Sequence, residues 1–508
     1  QWFISMEKNS LREKALSGIS KVRWIPSSGE RRIRSMIESR PDWVVSRQRL
    51  WGVPITVFVN KSDGQPLKDP KVIERIANAF EEEGAEAWLK RNPADFLGPE
   101  RNPEDYEQVM DILDVWFDSG SSHAFVLESR KDQQWPASLY LEGSDQHRGW
   151  FHSSLLESCG TRNTPPYESV LTHGFVMDGS GRKMSKSLGN VVSPEKVLKT
   201  YGADILRLWV VSADYSEDLR ISDEILKYQA DSYRRLRNTL RYLLGNLSGY
   251  TDSEEVPIKD MPELERWVLH RLYTLDREIR KWTDTFDFHL IFSSLHNFCA
   301  VELSAFYFDI RKDTLYCESV DSNPRRSART VLDKLFCCLT AWLAPILCFT
   351  SEEAWIARYS DSAESVHFRD FPNIPEEWQN RELSDRWEKI REIRKVVTGA
   401  LELERSEKRI GSSLEAKPLI WADSTSQSLF ANLVLDEIFI TSGAEFRDDK
   451  PPEGAFTIEG ISGIAVTTTR SNYKKCSRCW RYMSDVGSII NEPDLCGRCA
   501  KVIGKTIG

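Results

Sequence analysis

The most constraining feature of this chain lies near its end, where Cys476-x-x-Cys479 is followed, after 16 intervening residues, by Cys496-x-x-Cys499. Two such knuckles can supply four thiolates to one tetrahedral Zn²⁺, leaving no position open for catalysis, so one structural zinc is expected here. A segment of this size cannot fold on an apolar core alone, and metal ligation supplies the missing folding free energy. Seven basic residues (Lys474, Lys475, Arg478, Arg481, Arg498, Lys501 and Lys505) face three acidic ones (Asp485, Glu492 and Asp494), a balance of +4 that four thiolates on Zn²⁺ lower to about +2.

The other six cysteines, Cys159, Cys299, Cys317, Cys337, Cys338 and Cys348, are scattered among apolar residues and read as small buried hydrophobes in a reducing setting rather than as a disulfide framework. A chain of 508 residues that is 40% hydrophobic, with net charge −9, has the composition of a soluble multidomain protein. Its longest apolar stretch, Leu335 to Phe349, is interrupted by Pro345 and is shorter than the roughly 20 residues that span a bilayer, so a buried helix is expected. The first residues, Gln1-Trp2-Phe3-Ile4, include neither an initiator Met nor a signal-peptide pattern, and the expectation is a piece of a longer protein.

Texture changes along the chain. Residues 1–40 mix aromatic and basic side chains. Val53 to Asn60 reads as a strand closed by Ser62-Asp63-Gly64, and 70–105 as a helical, then Pro- and Asn-punctuated, surface insertion. From about 111 to 210 apolar runs alternate with helical patterns, the α/β signature: strands at Ser138–Leu141 and Ser169–Met177 flank a helix at His147–Cys159, for which Ser144 and Asp145 are the expected N-cap. Beyond about 225 helical periodicity dominates. Tyr233, Leu236, Leu240, Leu243, Leu244 and Leu247 share one face, with Arg234, Arg235, Arg237 and Arg241 off it. Thr350-Ser351-Glu352-Glu353 reads as a capping box opening a further helix, and from about 385 a charged helix leads to strand-like segments at Pro418–Trp421 and Ile464–Thr468.

A second chemical motif is Asp178-Gly179-Ser180-Gly181-Arg182-Lys183-Met184-Ser185-Lys186-Ser187. Two lysines three apart on a glycine-flanked loop can converge on a polyanion and stabilise a triphosphate during nucleotidyl transfer. Taken on spacing alone, a glycine-flanked lysine pair is more often an ordinary exposed turn.

Lys183-Met-Ser-Lys-Ser187 resembles the lysine signature of class I aminoacyl-tRNA synthetases. Ser46 to Pro54, Asp114 to His123, Glu142-Gly143-Ser144-Asp145-Gln146-His147-Arg148-Gly149-Trp150-Phe151, Ser304 to Asp313 and Leu343 to Trp355 resemble the isoleucyl-tRNA synthetase family in particular, over nearly the whole chain. The resemblance implies a multidomain α/β plus all-α protein: the returning end of an editing insertion (1–40), the second half of a Rossmann-type catalytic domain (41–225), an α-helical anticodon-binding bundle (226–385), a junction domain (386–470) and the zinc module (471–508). It implies an isoleucine–tRNA ligase activity that forms isoleucyl-adenylate from isoleucine and ATP with Mg²⁺ and transfers the aminoacyl group to tRNA(Ile), in a cytoplasmic, monomeric enzyme.

By the same resemblance Glu142, Gly143, Asp145 and Gln146 surround the adenylate, while Trp116, Gln146 and Trp150 wall the isoleucine side chain. His173 and Gly174 meet adenine, Lys183 and Lys186 stabilise the triphosphate, and the Arg234 to Arg241 face becomes an RNA contact. The family's His-x-Gly-His motif occurs nowhere in these 508 residues. The chain is therefore expected to match the C-terminal half of the family, with an incomplete active site when alone; the rival reading is a non-catalytic tRNA- and zinc-binding module.

Overall fold

A computed structural model describes residues 1–49, 51–359 and 364–506, with side chains through residue 504. Leu50, within the quoted Ser46 to Pro54 run, and the side chain of Lys505 lie outside the described residues. Contacts divide the chain into two compact units, one of residues 1–177 and 215–219, the other of 178–214 and 220–508. Among the described residues no helix is long and apolar enough to cross a membrane.

In the first unit a three-stranded parallel sheet runs in the order Arg23–Ile25, Ser169–His173, Tyr140–Gly143, with Tyr140 opposite Val170 and Gly143 opposite His173. Trp24, Tyr140, Phe151, Tyr167 and Val170 fill its core together with the helices Leu11–Ile19 and Trp150–Arg162. A separate small core of Phe58, Trp88, Phe96 and Leu97 stabilises the helices Pro70–Glu83, Ala87–Lys90 and Pro93–Leu97, as expected of an insertion that folds on itself.

Several expected elements shift. The Val53 to Asn60 run is a strand only at Phe58–Asn60, because Pro54 has no N–H for a ladder and Ile55 closes a tight turn onto Val57. The strand expected at Ser169–Met177 breaks after His173: a Cβ on Gly174 would stand 2.3 Å from the Glu217 carbonyl oxygen, so the backbone passes too close to its neighbour to continue the ladder. The strand expected at Ser138–Leu141 lies at Tyr140–Gly143, and the following helix starts at Trp150 behind a short 3₁₀ turn, Ser144–His147. Neither Ser144 nor Asp145 caps it; the N-cap is Gly149.

The second unit is mainly helical. Helices Asp223–Asn246, Glu263–Thr285 and Asn323–Leu343 pack on a continuous segment in which Phe288–Asn297 passes into a π-helix, Phe298–Tyr307, and then into Phe308–Cys317. Leu236, Leu240, Leu243 and Leu247 enter the core while the four arginines of that helix are exposed. Leu335 to Leu343 form the end of a buried helix, though the chain turns before Cys348 and Phe349 is exposed. The capping box is overturned: Thr350 to Glu353 lie inside the helix Cys348–Arg358, and its first turn is capped by Asp204, whose carboxylate accepts from Phe349 N at 3.2 Å, Thr350 N at 2.8 Å and Thr350 Oγ1 at 2.6 Å.

Within the bundle Arg311 grips the fully buried Glu265 through Nε and Nη2, each at 2.6 Å, and Tyr307 donates to the same carboxylate at 3.1 Å. The long helix Arg381–Ser406 carries a four-stranded sheet ordered Glu445–Arg447, Ala416–Trp421, Ile461–Arg470, Phe456–Ile458, which includes both strand segments expected there. Of the six scattered cysteines, four are buried and Cys337 and Cys348 are partly exposed.

Candidate functional site

Glu142, Gly143, His173 and Gly174 sit at the carboxyl ends of two adjacent parallel strands, the edge at which such sheets bind ligands. Gly143 is backbone-tight: a Cβ there would come within 2.7 Å of Asp145 Oδ1, with His173 Cε1 at 3.9 Å. The Glu142 side chain folds back to accept from Gly143 N at 3.0 Å, and the residue is exposed, leaving its carboxylate open to a ligand. Asp145 accepts from Gln146 Nε2 at 3.1 Å, and Gln146 Oε1 accepts from Trp150 N at 3.0 Å. His173 is held by the Gly174 carbonyl at 2.7 Å.

The two tryptophans are positioned differently. Trp150 stacks on Tyr140 with ring centroids 4.2 Å apart and donates Nε1 to Ser122 Oγ at 3.1 Å. Trp116, 43% exposed, overhangs Gly149, where a Cβ would stand 2.8 Å from its ring and 2.6 Å from Gln146 Oε1. Gly149 thus lets Trp116 and Gln146 approach each other, and Trp150 is wedged beside them by its core contacts. The first unit therefore brings together Glu142, Gly143, Asp145, Gln146, Trp116, Trp150, His173 and Gly174.

Lys183 and Lys186 belong to the second unit, on a loop with its own internal clamp. Asp178 Oδ1 accepts from Ser180 N at 3.0 Å and Arg182 N at 2.9 Å; Oδ2 accepts from Arg182 Nε at 3.0 Å and Asn190 Nδ2 at 2.9 Å. The Asn190 amide, with the Arg182 and Ser180 donors, holds the Asp178 carboxyl down at about 2. Asn190 also accepts from Ser185 N at 2.9 Å and donates to the Lys183 carbonyl at 3.3 Å. Gly181 takes φ +76°, the left-handed turn that closes the hairpin. Both lysines are exposed, and among the described residues neither pairs with a carboxylate. Sequence reading had no role for Asn190; its signal was an Asp and an Asn bracketing a glycine-rich loop, the usual side-chain turn chemistry.

The third site is the cysteine cluster. The Sγ atoms of Cys476, Cys479, Cys496 and Cys499 lie within 4.8 Å of one another, all four residues buried. The Cys479–Cys496 Sγ separation of 3.9 Å matches the roughly 3.8 Å edge of a tetrahedron built from 2.3 Å Zn–S bonds. Burial opposes ionisation of Cys476, but backbone N–H groups of Cys479, Cys496 and Arg478 outweigh it and hold the thiol below its ordinary value. Arg478 points Nη1 at Cys499 Sγ, 3.7 Å away, while donating to the Cys317 carbonyl at 2.6 Å. Arg498 pairs with Asp313 at 2.7 Å and Glu318 at 3.0 Å, and Arg481 with Asp436. Three of the seven basic residues counted in this module are thus engaged by the unit that carries it.

Three family models match in order along the chain. Residues 1–222 match the tRNA synthetases class I (I, L, M and V), 265–420 the anticodon-binding domain of tRNA ligase, and 474–502 the zinc finger found in FPG and IleRS. The isoleucine–tRNA ligase of Mesorhizobium japonicum is 53% identical over 513 residues, covering 99% of this chain and 51% of that protein. The isoleucine–tRNA ligase of Brucella abortus biovar 1 is 53% identical over 510 residues, covering 99% and 52%. The chain spans about half the length of the curated relatives it matches. Among solved structures, the ternary complex of Agrobacterium radiobacter K84 agnB2 LeuRS with tRNA and LeuAMS aligns at 20% identity and a TM-score of 0.49, over 68% of this chain and 43% of that one.

Proposed function

The chain belongs to the class I tRNA synthetases, on the isoleucine branch, and from that premise we propose that it supplies the adenylate-binding edge, the lysine loop and the anticodon-binding part of an isoleucine–tRNA ligase. The observation that carries this reading is the juxtaposition of Gly143 and His173 at the ends of paired strands, with Glu142 and Asp145 beside them. In it, the exposed Glu142 carboxylate accepts from ammonium or hydroxyl donors of the adenylate. Trp116, Gln146 and Trp150 bound the isoleucine side chain, the Gly143 and Gly174 backbones admit the nucleotide, and His173 orients adenine. Lys183 and Lys186, which pair with no carboxylate among the described residues, stabilise the ATP triphosphate and its Mg²⁺ as pyrophosphate departs. The arginines at 234, 235, 237 and 241 meet tRNA phosphates, and the enzyme acts as a monomer in the cytoplasm.

No His-x-Gly-His occurs in these 508 residues, which favours a second reading of the chain by itself: it binds tRNA(Ile) without activating isoleucine. Isoleucine-dependent pyrophosphate exchange, run beside a tRNA gel shift on one preparation, tests both. A salt-sensitive shift without exchange is the expected result. Robust exchange by these residues alone would overturn the incomplete-site reading, and no shift at low salt would remove tRNA binding.

A further inference from the structure

Trp116 stands at the start of a helix, Val115–Gly120, whose six residues are too few to hold that shape alone, so its place is set by tertiary anchors. The main anchor is Asp114, the N-cap. Its Oδ1 accepts from Trp116 N at 3.4 Å, and its own N–H donates to the Val45 carbonyl at 2.7 Å. The residue is buried, and its second oxygen, Oδ2, accepts from Trp43 Nε1 at 3.1 Å and pairs with Arg47 Nη2 at 2.9 Å. Phe117, next in the helix, rests against Trp43 with ring centroids 5.8 Å apart.

Arg47 is itself held in place. It lies on the strand Ser46–Arg47, opposite Ile112 of the strand that leads into Asp114, and its Nη1 donates to the Val44 and Ser46 carbonyls at 2.9 and 3.0 Å. One guanidinium thus joins two backbone carbonyls to the capping carboxylate, a planar fork that lysine cannot reproduce. Arg40 adds a further charge interaction with Asp114. A buried carboxylate that loses its paired cation must turn toward water or take up a proton, and the cap moves with it. Trp116 cannot follow without altering the wall it forms, because its ring already stands 2.8 Å from where a Cβ on Gly149 would lie.

We propose that Arg47 is a positioning residue for amino acid selection: acting through Asp114, it fixes Trp116 over Gly149 and so sets the size of side chain admitted between Trp116, Gln146 and Trp150. Arg47 acts at one remove, through the carboxylate, and touches neither the amino acid nor ATP. The inference rests on the ligase reading above.

The test is pyrophosphate exchange with isoleucine or valine by the ligase extended to the length of its relatives, carrying Arg47→Ala, Arg47→Lys, Trp116→Ala or the pair Arg47→Ala and Asp114→Asn. Arg47→Ala should raise the KM for isoleucine about tenfold, the worth of one charge-assisted contact, with the KM for ATP little changed. The ratio of kcat/KM for isoleucine over valine should fall severalfold, because discrimination of one methylene needs a wall that stands still. Arg47→Lys should lie between the parent and Arg47→Ala. Asp114→Asn keeps a capping oxygen without the buried charge, so the double variant should recover most of the isoleucine KM. Thermal melting shows which variants are folded, and if Arg47→Ala is not, Arg47→Lys carries the same comparison. An unchanged isoleucine KM and an unchanged ratio in the Arg47 variants, beside an impaired Trp116→Ala, would overturn the positioning role alone. Equal rises in the KM for isoleucine and for ATP, with no recovery in the double variant, would also overturn it, by marking a general loss of structure. Trp116→Ala indistinguishable from the parent would instead overturn the pocket reading, and the inference with it.

Discussion

Asn190 donates its side-chain amide to Asp178 Oδ2 at 2.9 Å, tying together the two ends of the loop that carries Lys183 and Lys186. Because the same amide also holds the Ser185 N–H and the Lys183 carbonyl, one side chain sets the path of the backbone between the lysines. Asn190→Ala should therefore loosen the loop without touching either unit's core. Trypsin cleavage after Lys183 and Lys186 should accelerate severalfold while the melting temperature stays within about a degree of the parent. Unchanged cleavage would show that the clamp does not order the loop.

The lysines themselves should matter in the transition state. In an extended enzyme that performs pyrophosphate exchange, Lys186→Ala should lower kcat by about 10² to 10³, the loss of one preorganised contact to developing charge, with the KM for isoleucine little changed. A raised isoleucine requirement at unchanged turnover would contradict the role.

The cysteine cluster should hold about one zinc per chain by elemental analysis. Cys496→Ser should lower that content and open residues 474–502 to trypsin, since Arg478, Arg481 and Arg498 are withheld from protease only while the module stays folded on its partners. Retained zinc and retained resistance in the serine variant would disprove four-thiolate ligation.

Glu157, on the helix Trp150–Arg162, has Oε1 buried without a hydrogen bond, and burial, aided by the Asp118 charge, raises its carboxyl to about 9. A folded-state value above the unfolded one means that the folded protein holds the extra proton, so stability is full below about pH 4.5 and falls as pH rises toward 9. Glu157→Gln should lose this dependence, melting a few degrees above the parent at pH 8 and differing little at pH 5. Parallel pH profiles in thermal denaturation would rule out Glu157 as the cause.

What the amino-acid order determined alone was the chemistry that depends on near neighbours. Cysteine spacing specified a tetrahedral thiolate site, because each knuckle closes within four residues. The leucine period at 236, 240, 243 and 247 separated a buried face from an arginine face, because helix geometry repeats locally. The run from Glu142 to Trp150 carried a strand-to-helix transition, because the strand Tyr140–Gly143, the turn Ser144–His147 and the helix Trp150–Arg162 follow one another locally. Tertiary structure decided everything that needed a distant partner. Asp204, not Thr350, caps the helix at Cys348, since a carboxylate 146 residues away reaches the free N–H groups first. The strand ending at His173 stops because the Glu217 backbone crosses Gly174. Arg478 and Arg498, countable from sequence only as positive charge, are drawn onto Cys317, Asp313 and Glu318.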